Sequence, residues 1–456
     1  MRSRERITRA VVARSVLASM LAASLLALPG EALADVRKTD EVTGGTVESR
    51  ALSASLCPSI EAQHAILVDA DGEVFFARDA SSPANIASIT KVMTAVVALQ
   101  EAPLDTPITV SAVAASVGES TAGLKAGDVL TLENALKALM IPSGNDAAIA
   151  IAETLGKTMA GVSDDTAGNQ AFIAAMNEKA AELGCQDTVF ENAHGLDYGT
   201  YAGNLHSTAA ETCKIVACAM ENELFRSIVE TRQADLSVQR EGMTTTVRVS
   251  TTDEMLGTYE GACGVKTGFT DLAGACFAGA CERNGDMVYS IVLDAPSEAQ
   301  RFTDTMTLFD WYYGHQMAYA LANDDEMVTA DLNGSTREVP VVAEVALTDQ
   351  VDKTVKATFA DPDATVDIFT LDGNVSQSFE FYEVSGAVEV GEVIGHATFY
   401  QRNEQIAEQD IVACEAISAP TLWESIQHVW SGFCGLFMGQ HEVSESVVLN
   451  HTPAVL

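Results

Sequence analysis

The chain of 456 residues is poor in positive charge: 26 lysines and arginines stand against 64 aspartates and glutamates, a formal net charge of −38. Such a surface repels phosphate backbones, which argues against nucleic acid as a partner, and it repels anionic lipid headgroups as well. None of the nine cysteines forms a Cys-x-x-Cys pair, and the eight histidines show neither His-x-His nor His-Glu-x-x-His spacing, so no zinc site and no other metal or cofactor is expected. Gly156-Lys157-Thr158 invites a phosphate-loop reading, but that loop needs a glycine at position 151, which is isoleucine. Towards the C-terminus, no apolar run approaches the ~18 residues that a membrane span requires.

What remains is a globular composition. Hydrophobic residues make up 47% and charged residues 20%, enough to bury a sizeable core, and the length suits two domains with appendages better than one. Residues 1–34 read as a secretory signal: Arg2, Arg4, Arg6, Arg9 and Arg14 give a basic start, Ser15 to Leu28 an apolar stretch, and Ala32-Leu33-Ala34 a small-residue cleavage site. The mature chain is therefore expected outside the cytoplasmic membrane, in the cell envelope. Export permits disulfides, but the odd cysteine count leaves at least one thiol unpaired.

Three short motifs carry chemistry. Ser88 and Lys91 sit three residues apart at the head of an apolar helical pattern, a spacing that shares one helix face. A serine hydroxyl becomes nucleophilic when a base takes its proton, and a lysine serves once burial or a nearby cation lowers its pKa. Of ten lysines, only Lys91 has a serine three residues before it. Ser143-Gly144-Asn145 follows on a turn broken out of a helical stretch by Pro142 and Gly144, and Lys266-Thr267-Gly268 comes later on an apolar strand. Taken singly, the first pair reads as a solvated helix face and the second motif as an N-capped turn. Their order is what counts.

Ser-x-x-Lys, Ser-x-Asn and Lys-Thr-Gly in that order are the signature of penicillin-recognising serine enzymes. Phe190 to Leu196, His206-Ser207-Thr208-Ala209 and Lys266 to Asp271 further resemble the D-alanyl-D-alanine carboxypeptidase family, the low-molecular-mass penicillin-binding proteins. The resemblance implies Ser88 as nucleophile, Lys91 as its base and Ser143 as proton relay. It implies Asn145 as an orienting amide, Lys266 and Thr267 as holders of the substrate carboxylate, and Gly268 as a point of close substrate approach. The N–H groups of Ser88 and Phe269 would form the oxyanion hole, and Arg301 would be a further carboxylate ligand, against the reading of a surface helix arginine. The substrates implied are peptidoglycan stem peptides, with β-lactams as covalent inhibitors. Before the Lys-Thr-Gly strand, where the family favours Asn-x-Asn, this chain reads Ser250-Thr251-Thr252-Asp253.

Strand patterns before Ser88 and after residue 234, enclosing a block of helices, predict an α+β fold: an antiparallel sheet flanked by helices, with an all-helical subdomain. This arrangement is β-lactamase/transpeptidase-like. Beyond Asn323 the texture changes to short alternating strands separated by turns such as Asp372-Gly373, as in a small all-β sandwich. The expected organisation is a signal at 1–34, a polar leader at 35–57, the catalytic domain at 58–318, the β-sandwich at 325–415, and an amphipathic segment with a disordered tail at 416–456. Leu422, Trp423, Ile426, Val429, Trp430, Phe433, Leu436 and Phe437 recur at helical spacing, so residues 421–438 are a candidate for lying on a membrane surface, against packing on protein.

Rival functions stay open at this point. A serine β-lactamase shares the three motifs but needs a second base, and no Glu-x-x-x-Asn loop is found. A DD-endopeptidase cutting D-alanyl crosslinks would use the same site. A wall-binding scaffold could keep the fold without the chemistry.

Overall fold

A computed structural model describes residues 36–332, 334–350, 353–426, 430 and 444–455. The expected signal lies outside the described residues, as do residues 427–429 and 431–443 of the amphipathic segment. The chain divides into two units, with the boundary between Tyr312 and Tyr313.

In the first unit, alternating and continuous apolar runs become strands β1 (Glu41–Val42), β2 (Gly45–Thr46), β3 (His64–Asp69), β4 (Val74–Arg78), β5 (Pro107–Thr109), β6 (Val129–Thr131), β7 (Gln233–Arg240), β8 (Met243–Ser250), β9 (Ala262–Thr270), β10 (Gly274–Arg283) and β11 (Asp286–Ala295). Seven form one antiparallel sheet in the order β2-β1-β4-β3-β11-β10-β9, and β5-β6-β7-β8 form a smaller one. The Lys-Thr-Gly strand β9 is thus an edge, with unpaired backbone groups on one side. The expected Asp71-Gly72 hairpin joins β3 to β4, with Gly72 at φ +87°.

Between β4 and β7 lies the helical block, with the short strands β5 and β6 within it. Helix Thr90–Glu101 is buried from Thr90 to Ala98, so it is enclosed all round and not only along the Val92, Ala95, Val96 and Leu99 stripe. Helix Leu132–Met140 starts at a Thr131 cap, and helix Asn145–Ala160 follows after the Pro142-Ser143-Gly144 break. It crosses helix Asp165–Glu182 so closely that a Cβ on Gly156 would come 1.9 Å from the Gly168 carbonyl oxygen. Gly156 is therefore a packing residue, and Lys157 beside it pairs with Asp165. Thr208 caps helix Ala209–Met220 by accepting from Glu211 N, as expected, but the Glu211 carboxylate accepts from Gln186 N, Asp187 N and the Thr188 hydroxyl. Helix Glu298–Gly314 closes the unit.

Residues 35–57 are not a separate leader. β1 pairs with β4, extending the sheet, and the buried Asp40 receives two bonds from the equally buried Arg78, at 2.9 and 2.7 Å. A polar run reads as a leader from composition because the partner that neutralises its aspartate lies 38 residues away. The expected boundary at 318 also shifts, because strand Gln316–Ala320 pairs with Thr365–Phe369 of the second unit. Among its described residues that unit is chiefly β, with a six-stranded antiparallel sheet and two two-stranded ribbons. Phe359, Phe399, Val345, Val355 and Ile411 are fully covered in its core. The expected disordered tail is ordered where described: Val447–Val448 pairs with Ala343–Glu344, and the buried Asn450 side chain donates to Leu321 O and Gln377 Oε1. The described start of the amphipathic segment is helical at 422–426, with Leu422, Trp423 and Ile426 exposed. Among the described residues no helix is long and apolar enough to cross a membrane.

Candidate active site

Ser88 lies in a 3₁₀ turn, Ala87–Ile89, that runs directly into helix Thr90–Glu101. Ala87 takes φ +46°, a left-handed conformation rare for a residue with a Cβ, and this turns the chain sharply into the helix. From the helix, the buried Lys91 Nζ lies 2.8 Å from Ser88 Oγ and donates at 2.7 Å to the carbonyl of His194. Burial, then the charge of Lys266, hold the Lys91 amine well below its ordinary range, with Asp146 opposing. A neutral amine in hydrogen-bond contact with a serine hydroxyl is able to accept its proton.

Ser143 occupies the break between two helices at φ +63°, a second strained backbone position. Asn145, the first residue of helix Asn145–Ala160, donates through Nδ2 to Gly118 O at 3.2 Å, while its buried Oδ1 has no partner. Asp146 accepts from Ala122 N and Leu124 N and so anchors the Ser120–Leu124 segment across the cleft wall.

On the opposite wall, β9 brings Lys266, Thr267, Gly268 and Phe269 into the same cleft region. Lys266 is buried and donates to Thr267 O at 2.8 Å; burial first and Arg301 second push its pKa down to about 7, against Asp253. A Cβ on Gly268 would come 2.9 Å from Ile86 O and 3.2 Å from Ser88 N, so only glycine lets this edge strand lie flush against the Ser88 turn. Phe269 is half exposed at the cleft mouth. Arg301 is buried at 4% exposure and donates to Gly268 O at 3.0 Å and to Glu298 at 3.0 Å, leaving Nε without a partner. It is no surface helix arginine. Ser88, Ser143, Asn145, Thr267, Gly268, Phe269 and Arg301 all line one cleft of about 430 Å³. Lys91 and Lys266 back it from behind. The departure at Ser250 to Asp253 is accommodated: Thr252 bonds Thr267 Oγ1 at 2.6 Å, and burial lifts the Asp253 carboxyl to about 6.

Several contributors were not singled out from the sequence as site residues. Asn192 Oδ1 accepts from His194 N and Gly195 N, and its Nδ2 donates to Leu196 O, which shapes the turn that presents the His194 carbonyl to Lys91. The His194 ring accepts from Leu196 N and is held neutral by burial and by Lys91, its pKa pushed down to about 3. Tyr198 donates to Glu119 at the mouth of the cleft. The Asn192-x-His194-Gly195 pattern was the available signal; the contacts it makes were not.

The fold and the cleft together define a serine acyl-transfer enzyme. The D-alanyl-D-alanine carboxypeptidase family matches residues 50–297, and the chain belongs to that family. It is 31% identical to a D-alanyl-D-alanine carboxypeptidase of Streptomyces K15 over 59% of this chain and 93% of the relative. It is 25% identical to the D-alanyl-D-alanine carboxypeptidase DacF of Bacillus subtilis over 78% of this chain and 85% of the relative. Among solved structures, the Streptomyces K15 DD-transpeptidase is 30% identical and superposes with a TM-score of 0.53, covering 56% of this chain and 98% of its own.

Proposed function

We propose that the chain is an exported D-Ala-D-Ala carboxypeptidase that removes the terminal D-alanine from peptidoglycan stem pentapeptides. In this reading neutral Lys91 takes the Ser88 proton as Oγ attacks the carbonyl between the last two D-alanines. The N–H groups of Ser88 and Phe269 take the developing oxyanion, and Ser143 passes a proton to the departing amine. The acyl–Ser88 ester is then hydrolysed by water, which restores the hydroxyl. Asn145 orients the substrate backbone, and the extended peptide adds along the free edge of β9. Its terminal carboxylate is held by Thr267, Lys266 and Arg301. Bringing an anion to Lys266 favours the charged form of that amine, so binding itself recruits the proton.

The observation that carries this reading is the 2.8 Å contact between Lys91 Nζ and Ser88 Oγ in a cleft whose far end holds a buried arginine. β-Lactams would acylate the same hydroxyl. The basic, apolar and small-residue segments at the N-terminus support export, and exposed Leu422, Trp423 and Ile426 support association with a membrane surface.

Incubation with a D-Ala-D-Ala stem pentapeptide, followed by mass spectrometry, is expected to show the tetrapeptide and an acyl adduct on Ser88. Ser88→Ala should lose turnover by at least about 10⁴-fold and lose penicillin labelling. Relatives named D-alanyl-D-alanine endopeptidase, one from Pseudomonas aeruginosa at 28% identity, make crosslink cleavage the alternative outcome. It would appear as dimeric muropeptides falling to monomers without release of D-alanine. β-Lactam turnover without D-alanine release would mark a β-lactamase, and unchanged cellular function in Ser88→Ala would mark a scaffold.

A further inference from the structure

Asp197 lies outside every motif, yet it sits where two parts of the cleft meet. Its carboxylate is buried at 7% exposure, and a single oxygen, Oδ2, accepts from Asn85 Nδ2 at 3.0 Å and from Thr270 Oγ1 at 2.8 Å. Asn85 stands three residues before Ser88, and Thr270 directly follows Phe269. Thr270 Oγ1 also accepts from Ala273 N, which fixes the turn leaving β9. One carboxylate oxygen therefore ties the Ser88 turn to the end of the Lys-Thr-Gly strand. Two residues before Asp197, Gly195 lies against Ala87 and Ser88 N, so the segment is pressed onto the Ser88 turn as well.

We infer that Asp197 is a positioning residue that sets the separation between the Ser88 and Phe269 backbones, and with it the width of the oxyanion hole. The inference rests on the acyl-transfer reading of the cleft. Oxyanion donors act through placement, and losing one donor lowers turnover by roughly 10²–10³-fold. Here neither donor is removed; the tie that holds them in register is. Substrate carboxylate binding, which falls to Thr267, Lys266 and Arg301, does not pass through Asp197. The effect belongs in kcat and in the rate of acylation, with KM little changed.

The test compares Asp197→Ala and Asp197→Asn in the full chain, using pentapeptide turnover and acylation by a fluorescent penicillin, at a temperature where circular dichroism shows each variant folded. An asparagine oxygen in the place of Oδ2 can accept both bonds. Asp197→Asn is therefore expected within about threefold of wild type, and Asp197→Ala at about 10²-fold lower kcat and acylation rate with KM within about threefold. Asn85→Ala and Thr270→Val each remove one of the two bonds and should give intermediate losses. Folded Asp197→Ala that acylates within threefold of wild type overturns the inference, as does Asp197→Asn failing as badly as the alanine. A wild-type protein that neither acylates nor releases D-alanine would instead overturn the functional reading.

Discussion

Gly195 lies against the carbonyl of Ala87. A Cβ built on it would fall 1.9 Å from Ala87 O and 3.0 Å from Ser88 N, and its φ of +91° is closed to other residues in any case. This contact lets the Asn192–Leu196 turn press onto the Ser88 turn and bring the His194 carbonyl to Lys91 Nζ. Gly195→Ala must push the two backbones apart. We expect penicillin acylation to fall by at least about 10²-fold, because displacements near 1 Å cost that much in rate, with stability lowered by about 1–3 kcal/mol. Gel labelling and thermal unfolding check both.

The two lysines predict an asymmetric pH profile. In the proposed mechanism Lys91 works as a neutral base, and burial with the Lys266 charge holds it well below the ordinary amine range, so the acidic limb should report its deprotonation. Lys266, its pKa pushed down to about 7 by burial and Arg301, would be charged when it meets the carboxylate of the proposed substrate. For free enzyme and substrate, kcat/KM is therefore expected to fall as pH rises beyond about 7. A substrate analogue whose terminal carboxylate is amidated should show no such alkaline limb. Steady-state kinetics from pH 5 to 10 with both substrates decides it.

Lys266 also sets function against stability. Its folded pKa is depressed, so between about 7 and its ordinary value of 10.5 the unfolded chain binds more protons, and the protein gains stability as pH rises through that window. Below it the destabilisation is fully present. Lys266→Met should thus be more stable than wild type near pH 6 by about 1–2 kcal/mol, with the difference shrinking towards pH 10, while turnover is lost. Urea unfolding at the two pH values measures it.

Much of this was legible in the chain itself. Ser88, Lys91, Ser143 and Lys266, which the structure brings together around one cleft, stand out in the sequence because their patterns are local: a spacing of three, a helix-breaking pair, a Lys-Thr-Gly on an apolar strand. The α+β order, the hairpin at Asp71-Gly72 and the Thr208 cap follow from short-range patterns for the same reason. Asp197 and Asp40 were not singled out, because each acts through partners distant in sequence, 112 residues for Asn85 and Asp197. Asp40 sits in a stretch that composition marks as polar leader; its bonds from Arg78 and from Arg37 N account for its burial. For Arg301 the sequence leaves surface and cleft both open, because its burial depends on Gly268, 33 residues away.

Asp40 and Arg78 supply a stability test. Arg78 also donates to Ile60 O and Ala62 O, so its guanidinium ties the Asp40 segment to the residues leading into β3. Asp40→Ala removes the buried carboxylate that accepts two of the Arg78 bonds and should destabilise the first unit by about 3–5 kcal/mol. The cleft is built by other elements, so acylation of the remaining folded protein should proceed at the wild-type rate. Urea titration and penicillin labelling separate the two effects.

The cysteines give the last prediction. All eight described cysteines are unbridged, and burial pushes Cys213, Cys276 and Cys414 up to about 12 and Cys185 and Cys263 up to about 11. Reaction with alkylating agents requires the thiolate and access to it. Cys276 faces Gly268 across the β9–β10 pairing, so modification there would distort the cleft edge. Native protein at pH 8 should therefore keep Cys213 and Cys276 unmodified by iodoacetamide for hours, with the partly exposed Cys218 reacting first among the eight. In urea all eight should react within minutes. Site-resolved mass spectrometry reads the order, and early labelling of Cys276 with retained acylation would contradict the burial on which this ranking depends.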